Sequence, residues 1–291
     1  MRKLLIVVGL VANALPLLAI GCLVTSEHAT PAVRVDASVL ENVPAGFTFV
    51  EMNAQGYPEY THDLTGIRFV LLPGGSFRMG SPESEVGHEA DEGPVHGVHL
   101  RSFLIGKYEV KQADYEAVMK GHATLSATPS AATGPNLPVE LVSWADVHAA
   151  DGFLERTGLS LPTEAQWEYA CRAGQAAPFS GTGDLDDMGW YKDNSSGQTH
   201  DVGTKQPNQF GLFDMHGNVW EFCEDVYKET FYSDDVSRND PNLTTGRLRT
   251  IRGGSQVRVS GSCRSGNRGD IEPGSRGPTL FLGFRAAVRL P

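Results

Sequence analysis

The sequence predicts an irregular α+β domain, rich in loops, with short strands and a few helices. Three observations carry this reading. The chain holds 33 Gly and 17 Pro in 291 residues, too much punctuation for a helical bundle. Only three segments read as helices, two of them opened by capping boxes, whereas several short runs read as strands. No segment recurs at a fixed period, which excludes a solenoid or a propeller.

At the N-terminus, Arg2 and Lys3 precede a mostly apolar run from Leu4 to Ile20, closed by Gly21 and Cys22. That is the pattern of an export signal occupying residues 1–21. The run is near the lower limit for a bilayer span, contains Pro16 and lacks a basic flank, so a retained anchor helix is the alternative. Leu18-Ala19-Ile20-Gly21-Cys22 resembles a bacterial lipobox, although Leu is usual where Ala19 stands. The resemblance implies that Cys22 is lipidated and ties the protein to the cell envelope, with soluble secretion as the alternative. Residues 22–45 mix Thr, Ser, Ala, Pro, Glu and Val without a period and read as a flexible tether. Residues 46–291 form the expected domain.

Within it, Ile67 to Leu72 reads as a buried strand and Pro73-Gly74-Gly75 as a turn. Ser76 to Met79 is then its continuation or partner. Val95 to Leu100 alternates and leads into Phe103 to Val110. Ser143-Trp144-Ala145-Asp146 is a capping box opening a helix through Trp144, Val147 and Leu154 up to Gly158. Thr163-Glu164-Ala165-Gln166 is a second, opening a helix through Trp167, Tyr169 and Ala170, with Arg172 in its last turn and Gly174 beyond. A third helix is expected over Gln112 to Met119, although Lys111 stands where a Ser or Thr cap would be usual.

Charge narrows the partners. Removing residues 1–21 takes Arg2 and Lys3 from the 24 Lys plus Arg, leaving 22 against 35 Asp plus Glu, a formal charge of −13. Such a surface repels nucleic acid and suits an extracytoplasmic domain or one that holds divalent cations.

Six landmarks occur in order between Phe69 and Arg285. They are Phe69-Val70-Leu71-Leu72-Pro73-Gly74-Gly75-Ser76-Phe77-Arg78-Met79-Gly80-Ser81, Asp91-Glu92-Gly93-Pro94-Val95-His96, and Leu161-Pro162-Thr163-Glu164-Ala165-Gln166-Trp167-Glu168-Tyr169-Ala170. Gly211-Leu212-Phe213-Asp214-Met215-His216-Gly217-Asn218-Val219-Trp220-Glu221, Arg252-Gly253-Gly254-Ser255 and Leu282-Gly283-Phe284-Arg285 complete the series. Together they resemble the formylglycine-generating-enzyme, or sulfatase-modifying-factor, family. The resemblance implies a variant of the C-type-lectin-like fold, compact and poor in regular structure. Founding members of that family oxidise a sulfatase cysteine to formylglycine with oxygen and copper(I). Others are iron-dependent oxidases, pigment-maturation enzymes, or proteins with no assigned reaction, so membership leaves the activity open.

The oxidases of that family hold soft copper(I) between two thiolates five residues apart, after the Gly-Gly-Ser strand. Counted from Ser255, those positions are Arg258 and Cys263. A guanidinium offers donors only and stays protonated, so it cannot replace a thiolate ligand. Val259 also stands where the oxidases carry a histidine. Both departures argue against copper. Cys263 is left either as a reactive thiolate assisted by Arg258 or as a small buried hydrophobe. Cys171 and Cys223 lie in apolar contexts; a disulfide between them is one option that spacing does not decide.

The same resemblance implies a calcium loop with ligands at Asp214 and Glu221 (carboxylates) and at Gly217 and Val219 (carbonyls), a hard oxygen set. The alternative is that both carboxylates merely satisfy backbone donors of a Gly-rich turn. A second calcium site would lie near residues 190–201, with Asn194 as the candidate ligand. His96 and His99 are three apart on a strand and face opposite ways, so they form no clamp. His88, Glu89, Asp91 and Glu92 read as a solvated loop, and Arg285 as the partner of a buried carboxylate.

The family's groove is floored by the Gly-Gly-Ser strand, which implies Ser255 and Cys263 as candidate catalytic groups, with Arg258 and Arg264 binding a peptide or anionic ligand. The first expectation is an envelope accessory or ligand-binding member that is not an oxidase. A formylglycine-generating oxidase is second. An iron-dependent oxidase is third, weakened by the lack of a His/carboxylate triad.

Overall fold

The computed structural model describes residues 42–277 and 281–290. The expected leader, Cys22 and nearly all of the tether lie outside the described residues. Among the described residues there are eleven strands: β1 (Phe47–Met52), β2 (Pro58–His62), β3 (Arg68–Leu72), β4 (Gly75–Met79), β5 (His96–Leu100), β6 (Phe103–Gly106), β7 (Trp220–Val226), β8 (Arg249–Arg252), β9 (Gly269–Ile271), β10 (Leu282–Gly283) and β11 (Ala287–Arg289). The helices are α1 (Gln112–Met119), α2 (Trp144–Val147), α3 (Phe153–Thr157), α4 (Glu164–Arg172) and α5 (Leu185–Met188). Among the described residues, no helix is long and apolar enough to cross a membrane.

The strands form a five-stranded sheet, β1-β2-β3-β6-β11, a four-stranded sheet, β10-β7-β8-β9, and a β4-β5 pair. Strand β3 explains why two cores exist. Its residues Phe69, Val70, Leu71 and Leu72 are all fully buried. Because side chains alternate across a strand, Phe69 and Leu71 enter one apolar cluster while Val70 and Leu72 enter the other. Burying each such side chain stabilises the fold by about 1.5–3 kcal/mol. The preceding hairpin turns where Asn53 Oδ1 accepts from the amides of Gln55 (3.1 Å) and Tyr57 (2.9 Å). Strand β4 is neither a continuation nor a partner of β3; Pro73 and Gly74 redirect it to pair with β5, Gly75 opposite Leu100.

Both capping boxes form as read, Ser143 with Asp146 and Thr163 with Gln166. Helix α4 packs against β4, β5, β7 and β8, its Trp167 fully buried. The helix expected from Trp144 to Gly158 is instead two. Asp151 adopts φ +59°, and a Cβ at Gly152 would meet the carbonyls of Ala149 and Asp146 at 2.8 Å. The chain therefore bends before α3 rather than continuing α2.

The expectation of a solvated loop at residues 88–92 fails for Asp91 and Glu92, which are buried. Glu92 accepts from both Nη1 (2.8 Å) and Nη2 (2.6 Å) of Arg264 and from Ser81 Oγ. Similar pairs recur through the interior. Arg268 donates to Glu164 (2.7 and 3.0 Å), Arg172 to Glu168 (2.8 Å), and fully buried Arg252 lies between Glu168 and Glu164 over the Trp167 ring. No disulfide joins Cys171, Cys223 and Cys263, which are three buried free thiols.

Removing one partner of a buried ion pair strands the other, so Arg252→Met should lower stability by about 3–5 kcal/mol. Urea unfolding checks this as a lower midpoint with unchanged slope. Arg247→Met, which breaks the surface pair with Glu272, should stay within about 0.5 kcal/mol.

Candidate functional site

The loop from Asp214 to Glu221 is held by backbone approaches that only glycine allows. A Cβ at Gly217 would meet the Trp190 carbonyl oxygen at 2.1 Å, and one at Gly189 would meet the His216 carbonyl oxygen at 1.6 Å. The Gly217 amide donates to Gly253 O and the Asn218 amide to Trp190 O, both at 2.8 Å. The Gln256 amide returns to Asn218 O at 3.0 Å. The loop is thus sewn to the end of β8, where the Gly-Gly-Ser segment begins.

Four acidic and basic groups meet beneath it. Glu221 accepts from Arg285 Nε and Nη2 (both 2.7 Å) and from Trp167 Nε1 (2.8 Å). Arg285 is fully buried, as a structural partner should be, and also donates to the carbonyls of Gly106 and Phe213. Glu109 accepts from Asn218 Nδ2 (2.7 Å) and the Val219 amide (3.1 Å). Asp214 accepts from the Gly203 amide through Oδ2 (2.7 Å), and its Oδ1 has no partner although the residue is buried. Burial first, then repulsion from Asp214 and Glu221, holds the Glu109 carboxyl well above its usual range. Burial likewise pushes Asp214 up to about 6.

Three buried carboxylates against one guanidinium leave an excess of negative charge and one orphaned oxygen, which fits a hard cation. Among the described residues, no three His, Cys, Asp or Glu side chains are grouped to hold a metal, so carbonyl oxygens such as those of Gly217 and Val219 would have to complete a shell. Of the two carboxylates the sequence pointed to, Asp214 has the free oxygen, whereas Glu221 is committed to Arg285 and Trp167. Glu109 was missed. Its signal was a charged residue within the apolar run Phe103 to Val110. Asn194, the candidate for a second calcium site, is taken up by its own turn: Oδ1 accepts from the Tyr191 amide (2.9 Å) and Nδ2 donates to Gly189 O (2.9 Å).

At the end of β8 the second of the two readings of Cys263, a small buried hydrophobe, is the one the geometry favours. Cys263 is fully buried, and a Cβ on Gly254 would meet its Sγ at 2.6 Å. Burial pushes the thiol up to about 12; the facing Ser255 amide lowers it less. It is therefore a protonated, packed sulfur, and Arg258 does not make it a thiolate. Arg264, expected to bind a ligand, is taken up inside the protein instead. It is buried among Glu85, Glu92 and the carbonyls of Gly87 and Gly261. What remains is a run of unpartnered polar atoms: Ser255 Oγ, both amide atoms of Gln256, and Arg258 Nε. Ser255 and Gln256 are fully buried and Arg258 is half-buried. Gln256 carried no sequence signal, since a lone glutamine after a glycine pair is common on surfaces.

His216 joins this region to the loop. Its Nδ1–H donates to Cys263 O (2.8 Å) and its Nε2 accepts from the Ser180 amide (3.0 Å), a network that assigns the neutral tautomer. Burial pushes its pKa down to about 4. Cys171 Sγ lies 3.8 Å from His216 Nε2, yet burial raises that thiol to about 12 too, so no thiolate–imidazolium pair forms.

The fold and this loop define a loop-rich domain of the formylglycine-generating-enzyme type, the C-type-lectin-like variant the motifs implied. A family model for the sulfatase-modifying factor enzyme 1-like domain matches residues 56–290, and the chain belongs to that family. It is 32% identical to the formylglycine-generating enzyme of Streptomyces coelicolor, over 75% of this chain and 88% of that one. Among solved structures it is similar to PvdO from Pseudomonas aeruginosa, with TM-score 0.69 and 30% identity over 85% of this chain and 100% of the other. Treponema denticola variable protein 1 is also similar, with TM-score 0.64 and 27% identity over the same shares.

Burial of all three thiols predicts that Ellman's reagent leaves Cys171, Cys223 and Cys263 unreacted in the native protein and modifies them only once denaturant opens the core. Rapid modification of Cys263 under native conditions would overturn its placement as a packed sulfur.

Proposed function

We propose that this chain is an exported, envelope-held member of the family that binds a peptide or anionic ligand beside β8 and does not run the two-thiolate copper oxidation. The observation that carries the reading is Arg258 at the position of one thiolate, with Cys263 a buried protonated thiol at the other. Soft Cu(I) is held by anionic thiolates, and one buried neutral thiol supplies neither that charge nor the second sulfur ligand. Arg258, half-buried and with no side-chain partner at Nε, supports a binding role. Buried polar groups left unpaired cost about 1–3 kcal/mol each, which a ligand or water bonding to them would relieve.

The test is mass spectrometry of a Cys-x-Pro-x-Arg sulfatase peptide incubated aerobically with the purified protein and copper(I), beside an Arg258→Cys variant. Unchanged peptide with the wild type is expected. Formylglycine produced by the wild type would sink the proposal in favour of an active oxidase. Conversion by the variant alone would identify Arg258 as the change that removed the activity.

The loop of Asp214, Gly217, Val219 and Glu221 is proposed to hold structural calcium, with Glu109 as added negative charge. Bound calcium would neutralise the carboxylate excess, and the protein's part is to keep the loop seated against β8. If calcium binds at a hundred times its dissociation constant, it stabilises the fold by about 2.7 kcal/mol. Chelation should then lower the melting temperature by roughly 5–10 °C, and Asp214→Asn should erase most of that difference. Equal melting curves with calcium and with chelator would sink the calcium reading.

A further inference from the structure

His148 stands at the C-terminal end of α2 with both ring nitrogens facing acceptors. Its Nδ1 lies 3.1 Å from the Trp144 carbonyl oxygen, and its Nε2 lies 3.1 Å from Glu224 Oε2 on β7. A neutral imidazole has one N–H and one lone pair, so it can serve only one of them. His216 shows the other case, with a carbonyl at one nitrogen and an amide donor at the second. Two acceptors require two ring protons, and hence a charged His148, unless Glu224 itself carries the second proton. Burial alone would push the Glu224 carboxyl up, but the His148 hydrogen bond and the charges of His148, Arg289 and Arg249 outweigh it and hold the group below the usual carboxylate range. Glu224 is therefore the anion and His148 the cation.

The elements packed around the ring bring further charges. On α2, Asp146 accepts from the Ser143 amide (3.0 Å) and from Arg276 (2.7 and 3.0 Å). At the start of α3, Glu155 accepts from the Asp151 amide, and Arg156 is paired with Asp151. From β8 the Arg249 guanidinium lies 3.7 Å from the centre of the Trp144 ring, and from β11 Arg289 acts on Glu224 at longer range. The His148 ring stacks on the same indole, 3.6 Å between centroids and 15° apart, a contact that favours its charged form. Trp144 in turn packs against the Phe69 cluster, and its Nε1 donates to Cys223 O at 3.2 Å. The side chains of His148 and Glu224 keep 21% and 26% of their surface exposed, so protons reach both from solvent. We propose that His148 is a proton-dependent clasp: as an imidazolium it bridges α2 to β7, and on losing its proton it must release either the Trp144 carbonyl or the Glu224 carboxylate. The clasp is whole in mildly acidic solution. It opens as pH rises and the ring gives up one proton, and also at the acid end, where Glu224 takes a proton and the attraction is lost. Alkaline solution thus loosens α2 and the Trp144 ring while the buried arginine pairs stay charged.

Nitrogen NMR of the purified protein with isotope-labelled histidine reads the protons directly, the His148 signals being those lost in His148→Ala. Both ring nitrogens are expected to carry protons at pH 6, and one of them at pH 9. A double-mutant cycle of His148→Ala and Glu224→Ala, followed by urea unfolding, separates the pair from everything else that pH changes in the protein. The coupling should be worth about two- to fivefold in the folding equilibrium at pH 6, as for a partly exposed ion pair, and should vanish at pH 9. A single protonated nitrogen at pH 6, no coupling at pH 6, or a coupling of the same size at pH 9 would overturn the proposal.

Discussion

The interior of this domain rests on arginines that are buried because carboxylates are buried with them. Arg252 with Glu168 and Glu164, Arg268 with Glu164, Arg264 with Glu92, and Arg285 with Glu221 each join segments far apart in sequence. A chain with so little regular structure has few ladders to fix its loops. A planar guanidinium supplies five donors in a rigid fork and can satisfy a carboxylate and several loop carbonyls together. Arg285 does so for Glu221, Gly106 and Phe213, and Arg268 for Glu164 and Asp91 O. Direction and spacing, rather than net attraction, are what such pairs contribute, since desolvation offsets much of the Coulomb gain.

The same frame decides what the region beside β8 can do. Because Arg264 is consumed by Glu92 and Glu85, it is unavailable to a ligand, and because Gly254 presses on Cys263, the sulfur stays dry and protonated. Arg258 is different: its Nε is unpartnered and its neighbours Ser255 and Gln256 have unsatisfied atoms. The loop carrying Asp214 and Asn218 holds this segment from behind through the Gln256 amide, so any change in the loop is felt directly at the end of β8.

Much of this was legible in the sequence. Capping boxes at Ser143 and Thr163 act through bonds three residues apart, so local order alone reveals them, and the run at residues 67–72 announced a strand buried on both faces. The split between α2 and α3 was not legible, because Gly152 stops the helix through contacts that exist only once the turn has formed. Burial of Asp91 and Glu92 was hidden for a different reason: the carboxylate partners, Tyr227 for Asp91 and Arg264 for Glu92, lie 136 and 172 residues away along the chain. Glu109 shares that history, since its partner amides at Asn218 and Val219 arrive from a distant loop.

The strands β10 and β11 concentrate an unusual share of the fold in one short segment. Strand β10 pairs in parallel with β7, β11 completes the large sheet against β6, and between them Phe284, Arg285 and Ala286 are fully buried. Residues 282–290 thus close both sheets and supply the guanidinium under the Asp214 loop. Without that stretch the cluster around Phe69, Leu71 and Phe222 loses Leu282, Phe284, Ala286 and Leu290, and Glu221 has no counter-charge. Two sheets and the Asp214 loop therefore lean on one short segment, so a cut or a shift there would loosen all three together.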